Sequence, residues 1–361
     1  MKVAIIGTVG LPANYGGFET LVEQLVLHNN NDTLQYEVYC SAKAYASTPS
    51  EFHGAILKYL PLKANGLQSI PYDIISMIKA SISADVLLIL GVSGCIFLPI
   101  FRLFSSKKII VNIDGLEHRR QKWSKWVRKF LKLSEKIAVR YADVIITDNK
   151  CITDYVKAEY GKPSRMIAYG GDHVLQEGDN KSSYEILQAM NIDPEAYSLS
   201  ICRIEPENNV HIILEAFEKT ANKLVAVGNW TSSSYGRELM EKYKDSQYVR
   251  ITPAIYDLKT LDVLRKNCTY YLHGHSAGGT NPSLVEAMFY EKPILAFDCN
   301  YNRETTKNKA IYFNSTDDLA SLLTKKYAGL MEIGVSLKKV AEQEYRWKVI
   351  ANEYENLFNL S

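Results

Sequence analysis

The regular alternation of short apolar runs with helical patterns constrains the fold of this chain more than any other sequence feature. In the first half the runs occupy residues 3–7, 36–40, 56–60, 86–90, 109–113, 144–147 and 166–169. In the second half they occupy 199–203, 224–227, 249–252, 270–272, 294–297 and 311–313. Near-continuous apolar strands joined by helices are typical of parallel sheets whose two faces are covered. The sequence therefore predicts an α/β protein built on parallel sheets.

The chain length predicts two domains. With 361 residues and 47% hydrophobic content, each half can form its own core. The polar run at 176–183 is the best linker candidate, so we predict domains at 1–175 and 176–340. A helical pattern over 337–360, with an aromatic and aliphatic stripe from Trp347 to Phe358, predicts a final packing helix within 341–361. Two doubly wound domains facing each other would hold a ligand at the carboxyl ends of their strands.

Composition excludes several classes of protein. A net charge of +2 gives no overall field that would attract nucleic acid. The six cysteines are scattered without a CxxC pair, which favours buried thiols in a reducing compartment over disulfides or a zinc site. Because the first strand opens at Val3, we expect no signal peptide before it. The apolar stretch 86–104 is interrupted by glycine, proline and arginine, so we predict a strand, a loop and a short helix there and not a membrane span.

The segment 273–286 carries the clearest ligand-binding pattern. Gly278 and Gly279 allow backbone to approach a ligand closely, while Thr280 and Asn281 are suitable helix N-caps. Free N–H groups at such a helix start favour an anion. Glu286 lies one turn into the helix, where its carboxylate could reach a ribose hydroxyl. The pattern therefore suggests a nucleotide site, the alternative being a tight turn followed by a surface glutamate.

Two other loops suggest contacts to phosphate. Gly16 and Gly17 lie between the first strand and a helix, where backbone amides could meet phosphate or sugar, although plain turn chemistry is the alternative. The loop is not a GxGxxG, and no acidic residue ends the second strand, so a dinucleotide site is disfavoured. In the second domain Arg203 ends a strand, where a fixed cation suits a diphosphate. The alternative is a surface arginine paired with a neighbouring glutamate.

Polar residues at other strand ends of the first domain are candidates for acceptor binding and catalysis. Asp114 and Glu117 follow one strand and could bind hydroxyls or act as a general base, although Asp114 could instead cap a helix. Asp148 and Tyr169 follow two further strands. A carboxylate and a phenol at neighbouring strand ends could contact the transferred group.

The segment 119–132 predicts a basic amphipathic helix with tryptophans on its apolar face. The candidate membrane and acceptor contacts in it are Arg119, Arg120, Lys122, Trp123, Trp126 and Lys129. Such a helix suits an anionic membrane surface. The alternative is an ordinary surface helix that packs its aromatic face on the sheet.

Taken together and in this order, these segments resemble a known family. The blocks at 7–20, 114–117, 203–209 and 274–286 are similar to those of GT-B glycosyltransferases, specifically of glycosyltransferase family 4. Within that family they most resemble bacterial rhamnosyltransferases of capsule and cell-wall polysaccharide synthesis. The resemblance implies two Rossmann-like domains facing a cleft. The first would hold the acceptor, the second the nucleotide sugar, and the last helix would cross back onto the first.

The resemblance also implies an activity. Such enzymes transfer a sugar from a nucleotide diphosphate with retention of anomeric configuration and generally without a metal or other cofactor. The branch favours L-rhamnose from dTDP-rhamnose as the donor and a saccharide linked to polyprenyl diphosphate as the acceptor. This chain would then be a cytoplasmic protein, peripheral at the inner face of the plasma membrane, with no nucleic-acid partner.

The chain departs from the wider family at several positions. Gly278 stands where the first of two glutamates is usual, and Asn208 replaces a lysine that normally accompanies Arg203. Asp114 replaces a histidine, and Tyr169 replaces an asparagine. These departures recur in the rhamnosyltransferase-like branch. The absent glutamate normally contacts hydroxyls of the donor sugar, so its loss suits a 6-deoxy sugar recognised in another way.

A mechanism follows from the resemblance. Arg203 and the amides at Gly16–Gly17 and Gly279–Thr280 would stabilise the leaving diphosphate, while the strand-end residues orient acceptor and sugar. The alternatives are a family 4 transferase that uses another nucleotide sugar, a nucleotide-sugar 2-epimerase of the same fold, and a non-catalytic binding subunit. An NAD-dependent oxidoreductase is a further alternative, disfavoured by the lack of an acidic residue at the end of the second strand.

Overall fold

The computed structural model describes residues 1–359 except 15, 114, 121, 122, 178, 179, 195 and 326–328, and it leaves the side chains of 180–182 undescribed. Asp114 and Lys122, both predicted site residues, therefore lie outside the described part of the chain. The chain divides into two compact units. The first comprises Met1–Tyr169 with Trp347–Ser361, and the second comprises Gly170–Arg346.

The first unit is built on an eight-stranded sheet of order β3-β4-β2-β1-β5-β6-β7-β8. Every neighbouring pair is parallel except the β3–β4 hairpin. The strands are β1 Lys2–Ile6, β2 Gln35–Ser41, β3 Glu51–Phe52, β4 Ala55–Leu60, β5 Val86–Leu90, β6 Lys108–Ile113, β7 Val144–Thr147 and β8 Arg165–Met166. The predicted run at 166–169 was wrong in extent, because β8 ends at Met166. The short edge strand β3 was not predicted.

The helices of this unit cover both faces of the sheet. They are α1 Gly17–Leu27, α2 Ser69–Ser83, α3 Leu98–Phe104, α4 Lys125–Tyr141 and α5 Lys150–Tyr160. The connections from β4 to β5, β5 to β6 and β6 to β7 all step in one direction along the sheet. Right-handed crossovers therefore put α2, α3 and α4 on one face, and α1, whose connection steps the other way, on the opposite face. The predicted strand, loop and short helix over 86–104 are confirmed as β5, a 3₁₀ turn and α3.

The C-terminal helix, Trp347–Asn359, belongs to the core of the first unit. Trp347 and Tyr354 are buried in the same apolar cluster as residues of α1 and β1. The Asn112 side chain on β6 donates a hydrogen bond to the Tyr354 hydroxyl at 2.8 Å, and the Lys108 ammonium donates to the Leu357 carbonyl at 2.6 Å. The helical pattern over 337–360 is interrupted in the structure, because the preceding helix ends at Glu344 and the final helix begins at Trp347.

The second unit has a six-stranded, all-parallel sheet of order β11-β10-β9-β12-β13-β14. Its strands are β9 Ser198–Ile201, β10 Leu224–Val227, β11 Val249–Thr252, β12 Tyr271–His273, β13 Ile294–Phe297 and β14 Ile311–Phe313. Its helices are α6 Asn180–Ala189, α7 Val210–Thr220, α8 Ser234–Tyr243, α9 Leu258–Asn267, α10 Pro282–Met288, α11 Asn300–Thr305, α12 Thr316–Thr324 and α13 Leu330–Glu344. Because β9 and β12 are parallel neighbours, the loops that follow them emerge at the same edge of the sheet.

Within the described ranges, no helix combines the length and apolar content that crossing a bilayer requires.

Candidate functional site

The loop after β12 docks directly onto the loop after β9. Gly274 passes so close to Asn208 that a Cβ at position 274 would lie 2.1 Å from the Asn208 carbonyl oxygen. The Ser276 N–H and hydroxyl both donate to the Glu207 carbonyl, at 2.9 and 2.8 Å. Glycine at 274 is therefore a requirement of the site's architecture.

Two asparagines join these loops. The Asn208 amide donates to the Arg203 carbonyl at 2.6 Å, and its oxygen pairs with the His275 Nδ1. Asn209 adopts a left-handed conformation, with φ of 49°, and its amide donates to the Gly274 carbonyl at 2.9 Å. Asn208 thus holds the loop after β9 against the segment that was predicted to contact a nucleotide.

The predicted helix cap after this loop is confirmed. The Asn281 side chain accepts a hydrogen bond from the Ser283 N–H at 3.1 Å, and α10 begins at Pro282. Thr280 is buried, and Gly279 precedes it. Gly278 has a φ of 114°, where any other residue is strained by about 1–3 kcal/mol. A glutamate at this position would therefore be strained.

Glu286 forms an ion pair that the sequence pattern did not reveal. Its Oε2 pairs with the Arg265 guanidinium, whose side chain is only 2% exposed, whereas that of Glu286 is 15% exposed. The His173 Nε2 lies 3.8 Å from the Glu286 Oε1. Burial lowers the pKa of Arg265, but the charge of Glu286 together with Tyr271 and Tyr290 outweighs that effect, and the pKa is raised. Arg265 thus holds the carboxylate that we predicted to bind a ribose.

Arg203 lies just beyond the end of β9, at the edge of the sheet where the two loops meet. Its side chain is 39% exposed, and its Nη1 lies 3.9 Å from the Glu205 Oε1. Exposed pairs at such a distance contribute little. The guanidinium is therefore accessible to an anionic ligand.

His273 ends β12 in a fully buried position. Burial lowers its pKa to about 3, so the imidazole is neutral at physiological pH. In the described part of the chain, no group of three or more His, Cys, Asp or Glu residues is placed to bind a metal. Metal-independent activity stays a prediction.

A buried glutamate organises the glycine loop of the first unit. The Glu19 Oε1 accepts hydrogen bonds from the Val9 N–H at 2.7 Å and the Thr8 hydroxyl at 3.1 Å. Its Oε2 lies against Gly16, where a Cβ would be 2.0 Å away, and Gly17 begins α1. A carboxylate at this position disfavours phosphate at Gly16 by charge repulsion. Contact with sugar or acceptor hydroxyls fits the geometry better than the predicted phosphate contact.

The predicted strand-end residues of the first unit are buried. Asp148 directly follows β7. Tyr169 lies three residues beyond the end of β8, and its ring belongs to the apolar core cluster. Their predicted contacts to the transferred sugar stay predictions.

Both oxygens of Glu117 are engaged within its own loop. The Trp123 Nε1 donates a hydrogen bond to Oε2 at 3.0 Å, and the Arg120 Nε forms an ion pair with Oε1 at 2.7 Å. A general-base role would require these contacts to break. The arrangement therefore favours Glu117 as the anchor of this loop.

The prediction of one basic helix over 119–132 was wrong at its start. Glu117–Arg119 forms a 3₁₀ turn, and α4 begins at Lys125, after Ser124 caps it. The cations divide into two sets. Arg119 lies 4.8 Å from the ring centre of Tyr155, whereas Lys129 lies 5.4 Å from that of the highly exposed Trp126.

Arg119 faces a buried cluster around Glu135, which sequence reasoning missed. Glu135 accepts hydrogen bonds from the hydroxyls of Tyr155 and Tyr160 at 2.7 and 2.6 Å, and its other oxygen pairs with the His118 Nδ1 at 2.9 Å. Burial raises the pKa of Glu135, but these hydrogen bonds outweigh it and hold the pKa below its usual value. The cluster ties the loop that carries Glu117 to α4 and α5.

The sequence and the structure were compared with known protein families and solved structures. Residues 1–172 match a family model described as a domain of unknown function (DUF1972), and residues 185–341 match one described as glycosyl transferases group 1. Sucrose-phosphate synthase from Thermosynechococcus elongatus is structurally similar, with a TM-score of 0.81 at 15% identity over 99% of this chain and 98% of that chain. HepE from Anabaena, solved with UDP, has a TM-score of 0.78 at 14% identity over 100% of both chains.

The catalytic domain of starch synthase IV from Arabidopsis thaliana, bound to ADP and acarbose, is also similar. Its TM-score is 0.73 at 12% identity, over 99% of this chain and 98% of that chain. No curated protein sequence matches this chain. The structural similarities confirm the predicted fold class, two parallel-sheet α/β domains of the GT-B type.

Proposed function

Taking the chain as a GT-B glycosyltransferase whose second unit carries a group 1 domain, we propose that it transfers a sugar, with retention, from a nucleotide diphosphate to a lipid-linked saccharide. The observation that carries this proposal is the docked pair of loops after β9 and β12. They bring the accessible cation of Arg203 and the Arg265-held carboxylate of Glu286 to one edge of a parallel sheet. A guanidinium pairs well with a diphosphate, and a carboxylate can accept a hydrogen bond from a ribose hydroxyl.

In the proposed donor complex each group has a separate task. Arg203 and the amides at Gly279–Thr280 bind the diphosphate, and Glu286 accepts a hydrogen bond from a ribose hydroxyl. The UDP and UDP-glucose complexes of HepE, which shares the fold, support a nucleotide-sugar donor. Amides and a cation neutralise the diphosphate, so the proposed reaction uses no metal.

The chemistry is a substitution at the anomeric carbon. The bond to the diphosphate oxygen breaks while the acceptor hydroxyl attacks from the same face, and the leaving phosphate oxygen takes the hydroxyl proton. Arg203 stabilises the charge that develops on the leaving group. Asp148, Tyr169 and Asp114 orient sugar and acceptor, while Glu117 anchors the loop after β6. The leaving phosphate oxygen serves as the base, so the reaction needs no protein nucleophile.

We propose L-rhamnose from dTDP-rhamnose as the transferred sugar. The φ of 114° at Gly278 excludes an unstrained glutamate there, and with it the side chain that holds sugar hydroxyls in the wider family. A 6-deoxy sugar, which has one hydroxyl fewer, fits a site that lacks this glutamate. The acceptor would be a saccharide on polyprenyl diphosphate, reached from the cytoplasmic side of the plasma membrane, where the outward-facing Trp126 and Lys129 of α4 contact lipid.

A transfer assay tests the proposal. The purified protein receives a polyprenyl-diphosphate-linked saccharide with dTDP-rhamnose, UDP-glucose, UDP-galactose or GDP-mannose. We expect transfer of rhamnose alone, and Arg203→Met should lose at least about tenfold in donor affinity by removal of a charged hydrogen bond. Arg250→Met, at an exposed arginine on β11, is the matched control and should leave donor affinity unchanged.

The outcomes separate the alternatives. Transfer of another sugar would overturn the rhamnose assignment while keeping the reaction. Nucleotide binding without turnover of any donor would favour a non-catalytic subunit, a role that the replacement of the family lysine by Asn208 makes chemically plausible.

A further inference from the structure

The outward face of α2 is apolar, although its opposite face is already buried. Tyr72, Met77 and Ala80 face the sheet, whereas Ile78 and Ile82 point to solvent, and Ile82 is 84% exposed. Together with Ile75 they follow helical spacing along the outer side. A surface helix normally carries polar residues opposite its buried stripe. The exposed isoleucines therefore require an explanation other than the fold of the first unit.

The next two helices repeat this pattern. On α3, Leu103 is 85% exposed, and Ile100 and Phe104 are more than half exposed. On α4, Trp126 is 80% exposed, and Leu133 lies on the same outer stripe. Single exposed apolar side chains are ordinary, but a cluster of large ones marks an interaction site.

The three helices form one continuous face. They lie on the same side of the sheet, α2 and α4 both pack against the 3₁₀ turn Ser93–Phe97, and α3 packs against α4. We call this face the α2–α4 surface, defined by the exposed residues of those three helices. It extends well beyond the segment 119–132 that the sequence pattern indicated.

The charges on the α2–α4 surface are all positive. Lys79 on α2 and Lys129, Lys136 and Arg140 on α4 are exposed, and none of the exposed side chains of these three fully described helices is acidic. A second copy of the chain would place this patch against itself in a two-fold interface and so oppose cation to cation. An anionic partner meets no such repulsion.

We propose that the α2–α4 surface seats the protein on the anionic face of a lipid bilayer. The apolar side chains of α2 and α3, with Trp126, enter the boundary between headgroups and acyl chains. The cations of α4 lie among the acidic headgroups. This inference deepens the proposed function, on which it rests for the lipid-borne acceptor.

Vesicle sedimentation of the full-length protein tests the surface helix by helix. Vesicles of phosphatidylcholine are compared with an equal mixture of phosphatidylcholine and phosphatidylglycerol. The variants are Ile78→Ser with Ile82→Ser on α2, Leu103→Ser on α3, and Lys129→Gln with Lys136→Gln on α4. Met331→Ser is the matched control, because Met331 is 77% exposed but lies on α13 of the second unit.

We expect the wild type to bind the anionic vesicles strongly. It should bind vesicles of phosphatidylcholine alone only weakly. Each apolar variant should lose about tenfold or more in partitioning, since each buried methylene contributes about 0.8 kcal/mol. Each removed lysine should cost roughly fivefold on anionic vesicles only. Met331→Ser should bind like the wild type.

Three results would overturn the proposal. The first is a wild type that does not bind anionic vesicles. The second is normal binding by the α2 and α3 variants with loss of binding only in the α4 variant. The third is a dimer, seen by light scattering, that Leu103→Ser dissociates. Donor affinity, measured in parallel, separates this inference from the proposed function. Loss of lipid binding with unchanged donor affinity concerns only the surface, whereas a wild type that binds no nucleotide contradicts the proposed function itself.

Discussion

Removal of the Glu286 carboxylate should destabilise the second unit strongly, because it leaves a buried arginine without its counter-charge. Arg265 is 2% exposed, and Glu286 is its ion-pair partner. The perturbation is Glu286→Ala, with Arg265→Met and the double variant completing a thermodynamic cycle. The exposed pair Lys219–Glu215 provides the control Glu215→Ala, since both of its side chains are more than 40% exposed.

The magnitudes follow from burial. Removing one partner of a buried ion pair costs about 3–5 kcal/mol, a large share of a typical unfolding free energy of about 5–15 kcal/mol. Arg265→Met should cost less, about 2 kcal/mol, because Glu286 is 15% exposed and can be partly hydrated. The double variant leaves no buried charge unmatched, so we expect a coupling energy of about 2 kcal/mol or more. Glu215→Ala should cost below about 1 kcal/mol.

Urea unfolding followed by fluorine NMR of 5-fluorotryptophan-labelled protein isolates the second unit. Trp230 is the only tryptophan between residues 170 and 346, and it is buried in the core of that unit. Donor affinity is measured on the same variants. The double variant should recover stability relative to Glu286→Ala but should not recover affinity for the nucleotide, because the ribose contact is absent in both.

A cost below about 1 kcal/mol for Glu286→Ala would refute the reasoning, since a buried arginine would then tolerate the loss of its partner. The reasoning would also be refuted if the free-energy costs of the two single substitutions added up to that of the double variant, because the coupling energy would then be zero. Full donor affinity in the double variant would remove Glu286 from the ligand site.

Three further substitutions test other parts of the structure. Gly274→Ala should push apart the loops after β9 and β12, because its Cβ would meet the Asn208 carbonyl at 2.1 Å, and calorimetry should show donor affinity reduced at least about tenfold. Burial raises the pKa of Asp73 to about 8, so the folded state keeps a proton that the unfolded state releases above its pKa of 3.8. Stability should therefore fall by up to about 1.4 kcal/mol per pH unit as the pH rises from about 4 to 8, and urea midpoints of Asp73→Asn should lack this slope. Glu135→Gln should weaken the cluster around His118 by about 2 kcal/mol at pH 8 and speed tryptic cleavage of the loop after β6, whereas unchanged cleavage would contradict its anchoring role.

The sheets could be predicted from the sequence because parallel strands are buried on both faces and appear as apolar runs. The edge strand Glu51–Phe52 has two residues, one of them charged, and so leaves no such run. Tyr345 interrupts a pattern that contains no proline, because its backbone and hydroxyl contact Gly171 and Thr305. Such a break depends on tertiary contacts that periodicity does not encode.

The candidate site could be predicted only where the chemistry is local. Asn281 and Pro282 indicate a helix start through residue preferences, and the structure has that start. Arg265 and Glu286 are 21 positions apart. In the sequence, the arginine resembles any cation in the last turn of a helix, here α9. The cationic run from Arg119 onward obscured the cap at Ser124, so the start of α4 was misplaced. Pairings between distant positions arise from the packing of the sheets and required the structure.

The configuration of the product tests the central claim most directly. Purified protein is incubated with dTDP-rhamnose and a soluble analogue of the lipid-linked saccharide, and the first-formed glycoside is examined by NMR through its one-bond carbon–proton coupling at the anomeric centre. The account predicts a rhamnoside, formed only when the acceptor is present, with the anomeric configuration of the donor. An inverted product would contradict the same-face mechanism, and nucleotide binding without any glycoside would contradict the assignment of transfer.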